Sequence, residues 1–307
     1  MSKFRVRDLP DGIVMGNFRS FFSKMLHQMA QVLPRAAAVC VSTCAELNSA
    51  VLDDLKSKLP NLLCLGPLSL IMPPPKTPDI NNCLVWLDKQ QEAHNNSEVV
   101  YVSFGSIARP SPSEIAALAQ GLEASGVKFI WSLRDNLKLA RHCTITVNVP
   151  AFYCPKYLTW ERRLQEHLPH GFLEDSRKNG ILVSWAPQTD ILAHDAVGVF
   201  ITHFGHNSIM ESVASGVPLI GRPFHGEQKL NGRLVEAVWE IGLEVEGGIL
   251  TKDGVVKSLE KILHGDEGKK MRENGSGLRS LVEKAISSKG SCNEDFKKLL
   301  KVVNKSS

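Results

Sequence analysis

Apolar residues along this chain fall into two kinds of run. At Phe22, Met25, Leu26, Met29 and Leu33 they recur every three or four positions, which predicts an amphipathic helix. At Ala37-Ala38-Val39-Cys40-Val41 they are continuous, which predicts a short buried strand. From Val99 onward the two kinds alternate. Val99 to Phe104 forms a β-rich run that stops at Gly105. Ser111-Pro112-Ser113-Glu114 then opens a helix, with serine as N-cap, proline in the first turn and glutamate closing a capping box. Ile115, Leu118, Ala119 and Leu122 make its buried stripe, and Gly126 ends it. Strands follow at Phe129-Ile130-Trp131, Ile181-Leu182-Val183, Val197 to Ile201 and Leu219-Ile220. Helical spacing recurs near 207–215, 229–240, 253–264, 268–285 and 293–303. Continuous apolar strands alternating with helices predict a parallel sheet covered on both faces, a doubly wound α/β architecture. Such sheets bind ligands beyond the C-terminal ends of their strands.

Punctuation divides the chain. Gly66-Pro67 and the proline-rich stretch from Met72 to Asp79 favour an extended, semi-rigid connector. This places residues 1–66 in one unit, 67–82 in a linker, 83–290 in a Rossmann-like lobe and 291–307 in a C-terminal helix and tail. Residues 1–66 hold too few elements for an independent core, so they read as the end of something larger. The stretch 139–164 has neither amphipathic period nor clean turn signals, and reads as an atypical insertion running over the surface.

Composition narrows the classes. Hydrophobic residues are 43% and charged residues 22%, enough apolar material for a sizeable core. The net charge of +4 is scattered, with no basic block beyond Lys269-Lys270, so nucleic acid is not an expected partner. No apolar run approaches the roughly 20 residues that span a bilayer, so membrane insertion is not expected. The opening Met1-Ser2-Lys3-Phe4-Arg5 lacks the apolar centre of a signal peptide. The seven cysteines form no CxxC pair and no zinc-like spacing, which points to free thiols in a reducing, cytoplasmic setting and to no metal.

Two strand-to-helix junctions carry the candidate chemistry. One is Val102-Ser103-Phe104-Gly105-Ser106; the other is Thr202-His203-Phe204-Gly205-His206-Asn207-Ser208. Glycine there lets backbone approach a ligand, and a helix N-terminus favours an anion. Asn207 and Ser208 read equally well as helix caps, and His203 as a core histidine. No GxGxxG follows a strand and no GxxxxGK[ST] is present, which disfavours dinucleotide and P-loop readings.

Together these residues become recognisable. Trp185-Ala186-Pro187-Gln188, His194, His203 to Ser208, Glu211-Ser212, Gly216-Val217-Pro218 and Glu227-Gln228 resemble the signature box of plant UDP-glycosyltransferases. Val6 to Pro10, Gly126 to Asp135, His167 to Leu173 and Leu230 to Arg233 look most like flavonoid 3-O-glucosyltransferases. The resemblance implies a GT-B fold of two facing Rossmann-like lobes, the first holding the acceptor and the second the UDP-sugar. It implies that Trp185 stacks on uracil while the Ala186 backbone bonds the base edge. Gln188 and Glu211 would take the ribose hydroxyls. Ser106, His203, Gly205, Asn207 and Ser208 would surround the diphosphate, and His206, Glu227 and Gln228 the hexose. No cofactor is implied, since UDP-glucose is itself the donor substrate.

Three departures from the family pattern bear on function. His206 stands where tryptophan is usual, and Glu227 replaces the commoner aspartate. The family's base histidine and its aspartate partner belong to first-lobe sequence that precedes the residues aligned here, so no catalytic residue is assigned. The expected activity is inverting, metal-independent transfer of glucose to a flavonoid 3-hydroxyl in the complete family enzyme. The chain as given is expected to bind UDP-sugar with little turnover. A non-catalytic nucleotide-sugar-binding remnant, or a fragment of a mis-predicted gene, is the alternative.

Overall fold

The computed structural model describes all residues except 1–2, 11–12, 14–15, 18, 74–77, 95–97, 134–166, 176–177 and 306–307. The expected insertion at 139–164 lies outside the described residues.

A helix at Phe21–Val32 (α1) opens with the Ser20 hydroxyl accepting from the Ser23 amide, a standard N-cap. β1 (Val39–Val41) then pairs in parallel with β2 (Leu62–Cys64), the two joined through α2 (Ser49–Lys58). The connector leads to α3 (Cys83–His94), which the sequence pattern did not predict. Its signal is a single carboxylate: Asp79 accepts from the Cys83 and Leu84 amides at 2.9 and 2.8 Å.

The larger sheet begins at β3 (Val99–Ser103). The capping box expected at Ser111 and Glu114 is formed, and α4 (Pro112–Ser125) ends at Gly126 in the left-handed conformation, φ 65°. β4 (Phe129–Ser132) and β5 (Gly180–Val183) extend the sheet on one side, and α5 (Gln188–Leu192) follows. The chain then returns to the other side of β3 with β6 (Val197–Thr202), α6 (His206–Ser215) and β7 (Leu219–Gly221). The helix expected near 229–240 is two pieces, α7 (Gln228–Arg233) and a π turn at Leu234–Val238. β8 (Gly242–Glu244), too short for the pattern to reveal, forms the edge. The remaining helices are α8 (Lys252–Leu263), α9 (Asp266–Ile286) and α10 (Ser291–Lys305).

All neighbours in this sheet are parallel, in the order β5-β4-β3-β6-β7-β8. Strand order therefore reverses between β3 and β6. One apolar cluster, with Tyr101, Ile130, Phe200 and Leu219, covers one face, and another, with Val102, Trp131, Ile201 and Leu259, covers the other. Such a reversal leaves a crevice past the strand ends, where open α/β sheets take their ligands. Glu114 adds a long-range tie: burial alone would raise its pKa, but the Arg222 guanidinium at 2.7 Å and the Ser111 and Leu250 amides hold it below the ordinary range.

The last helix runs back to the first sheet. The buried Asp295 carboxylate on α10 accepts from the Cys64 amide of β2 at 2.9 Å.

Candidate functional site

At the reversal between β3 and β6 lies a cavity of about 580 Å³. Tyr101, Ser103, Gly105 and Ser106 reach it from the end of β3, and Ser132 from β4. Trp185, Ala186 and Gln188 come from the β5–α5 turn, and Asn207, Ser208 and Glu211 from the start of α6. Ser69, Leu70 and Pro73, from the linker, close the remaining side.

Hydrogen bonds hold the polar wall. Gln188 Nε2 donates to Glu211 Oε2 at 2.5 Å and to Ser208 Oγ at 3.3 Å. Burial raises the Glu211 pKa above the ordinary carboxylate range, and the bond from Gln188 partly opposes that. Asn81, in the linker, donates to the Trp185 carbonyl at 2.7 Å and so pins the turn that carries the indole. Trp185 itself is half-buried and lines the cavity.

The glycines at the two junctions have a duty beyond the one expected. At Gly105, φ is 69°, and an added Cβ would come within 2.7 Å of the His203 ring. At Gly205 an added Cβ would overlap His203 Nε2. Both glycines make room for the His203 imidazole, and Gly105 itself lines the cavity. Burial, with His225 nearby, lowers the His203 pKa to about 4, while Glu227 pulls weakly the other way. The ring is neutral at physiological pH. Its Nδ1 lies 3.3 Å from Thr202 Oγ1, and when that hydroxyl donates, Nε2 carries the proton outward. Gly205 occupies the N-cap position of α6, so Asn207 and Ser208 are first-turn residues and not caps. Their side chains are free of the capping duty that sequence alone would assign them.

Of the residues singled out from sequence, Ser106, Trp185, Ala186, Gln188, Asn207, Ser208 and Glu211 line the cavity. His203, Gly205, His206, Glu227 and Gln228 are outside its lining. Residues 76–281 match the model of a family described as UDP-glucoronosyl and UDP-glucosyl transferase. The chain belongs to that family.

Relatives of this glycosyltransferase-family chain agree along nearly all of it. Anthocyanidin 3-O-glucosyltransferase 7 of Manihot esculenta is 48% identical, over 99% of this chain and 95% of the relative. The UFGT anthocyanidin 3-O-glucosyltransferase of Vitis vinifera is also 48% identical, over 99% of this chain but 60% of the relative. A crystal structure of a UDP-glucose: anthocyanidin 3-O-glucosyltransferase in complex with UDP superposes with a TM-score of 0.83 at 37% identity. It is matched over 99% of this chain and 62% of that one. The chain thus spans about three-fifths of the Vitis protein's length, and its α/β fold is of the GT-B type.

In this family member the remaining residues singled out from sequence are spread more widely. The Gln228 side chain is buried, and its Oε1 accepts from the Phe224 and His225 amides at 2.8 and 3.2 Å, which fixes the loop after β7. Glu227 is exposed beside it. His206 is turned toward the first unit, where Nε2 meets the Ser42 carbonyl at 2.7 Å. Sequence reading missed Tyr101 and Ser132 in the lining, and Asn81 behind Trp185. A tyrosine inside a buried strand and an asparagine in a linker carry no local signal.

Proposed function

We propose that the cavity binds the UDP moiety of a UDP-sugar, and that the chain is the donor-binding part of an inverting glucosyltransferase. The observation that carries the reading is the Gln188–Glu211–Ser208 cluster, set beside Trp185 and at the N-terminus of α6 in one crevice. In this reading uracil stacks on Trp185 and bonds the Ala186 backbone. Ribose hydroxyls donate to Glu211, whose hydrogen bond from Gln188 keeps one carboxylate oxygen oriented. Ser106, His203, Asn207, Ser208 and the first amides of α6 face the diphosphate, where a helix end stabilises negative charge as UDP departs. Glu227 and Gln228 approach the hexose, glucose.

The acceptor is a flavonoid 3-hydroxyl, held mainly by the unit to which residues 1–66 belong. In transfer, a base removes the hydroxyl proton, the oxygen attacks the anomeric carbon from the face opposite UDP, and UDP leaves. Among the described residues no histidine–carboxylate pair lines the cavity. His194 contacts Asp88 at 3.1 Å, but its other ring nitrogen accepts from the Ala196 amide, which occupies both nitrogens. His27 is bonded to Gln31. A positioned base contributes typically about 10²–10⁴-fold, so the chain by itself is expected to bind donor while transferring slowly. The test is glucose transfer from UDP-glucose to a flavonol, run beside a full-length relative. Turnover within tenfold of that relative would overturn the slow-transfer reading and leave donor binding standing.

A further inference from the structure

Tyr101 is buried in the middle of β3, with its ring stacked on Phe200 at 5.0 Å between centroids. Phenylalanine would fill that place equally well. What packing leaves unexplained is the hydroxyl, which reaches the cavity floor and donates to Gln188 Oε1 at 3.2 Å. The opposite end of the same amide donates to Glu211 and Ser208.

Resting on the donor-site reading above, we propose that Tyr101 is a positioning residue for ribose recognition: through Gln188 it fixes the Glu211 carboxylate that accepts the ribose hydroxyls. The chemistry of the three groups makes the order directional. An ionised carboxylate only accepts, so the amide must turn its NH2 toward Glu211. That leaves the amide oxygen pointing into the floor, where a donor is needed. The phenol meets that need, with its proton directed at Gln188 Oε1. The result is a relay with one consistent direction from the sheet to the ligand. Without the phenolic proton, the amide oxygen loses its donor from β3, and turning it elsewhere carries the NH2 away from Glu211.

The experiment measures binding of UDP and of 2′,3′-dideoxy-UDP to wild type and Tyr101→Phe, with thermal melting of each. The dideoxy analogue keeps base and diphosphate but cannot use Glu211. Wild type should prefer UDP. Tyr101→Phe should weaken UDP by about 5–20-fold, the equivalent of one lost hydrogen bond. It should bind the dideoxy analogue within twofold of wild type, with a similar melting temperature. Added to Gln188→Ala, the tyrosine change should cost little more, because the relay is already cut. Equal weakening of both nucleotides would show a packing role and overturn the proposal, as would an unchanged UDP preference. Absence of saturable UDP binding in folded wild type would remove the donor-site reading itself, and the relay with it.

Discussion

The chain contains two parallel sheets built to different standards. In the larger one, β3, β4 and β6 are buried at every position, and apolar clusters cover both faces. In the smaller one, Cys40 of β1 is exposed, and the core reduces to Leu52, Leu62 and Cys64. Two strands cannot assemble a core of their own. The smaller sheet is held instead by residues from far along the chain. Asp295 bonds Cys64, Ser291 bonds Glu46, and the Trp239 indole reaches the Leu47 carbonyl at 3.4 Å. Function divides along the same line. The proposed donor side is built on a self-sufficient sheet, whereas residues 1–66 borrow their order from it.

The comparison can be broken from either side. The largest effect is expected from Glu114→Ala, which strips Arg222 of its buried partner and removes a capping box. Losing one member of such a pair costs about 3–5 kcal/mol. Urea denaturation should show one cooperative loss that takes the smaller sheet with it; a cost below about 1 kcal/mol would contradict the account. Asp295→Ala attacks the other side. It leaves the buried Cys64 amide unpaired, at about 1.5–3 kcal/mol for a hydrogen bond to a charged group. Hydrogen exchange should rise across 39–64 and stay unchanged in β3 and β6. Equal loss of protection in both sheets would mean that the smaller one is not a dependent unit. Trp239→Phe should be the mildest, about 0.5–1.5 kcal/mol, because it removes the indole's bond to the Leu47 carbonyl. The ring packs in the larger sheet's cluster, so its loss should be read in both parts.

Two carboxylates should separate binding from stability as pH falls. Glu114 titrates below the ordinary range, so its stabilisation is complete above the unfolded value and disappears only as pH drops through the lower folded one. Glu211 titrates above the ordinary range, so the folded chain takes up this proton before the unfolded chain does. That uptake favours the fold but removes the anionic acceptor proposed for ribose. UDP affinity is therefore expected to weaken at higher pH than the fold does. Coincident midpoints would contradict these assignments.

The helix from Ser111 to Gly126 was legible because its start, stripe and stop are local. So were β3 and β6, whose continuous apolar runs reflect burial on both faces. β8 was missed because three residues carry no period, and α3 because its start depends on Asp79, outside the helix. Part of the cavity lining was legible as residue types, at Trp185 to Gln188 and at Asn207, Ser208 and Glu211, but its internal order was not. Gly105 and Gly205 were expected to bring backbone to a ligand; both also make room for His203, a fact that requires the two junctions to be adjacent. Tyr101 meets Gln188 across 87 positions and Asn81 meets Trp185 across 104, distances at which no local pattern speaks.

The central claim is that the crevice between β3 and β6 is a UDP site shaped by Glu211 and Trp185. Its most direct test is calorimetric titration of UDP into wild type, Glu211→Ala and Trp185→Ala, with melting curves to confirm that each is folded. Saturable wild-type binding, weakened at least about tenfold in both variants, is the predicted result, since a charge-assisted hydrogen bond and an aromatic stacking surface are each worth about 1.5–3 kcal/mol. Folded wild type that fails to bind, or variants that bind as tightly as wild type, would contradict it.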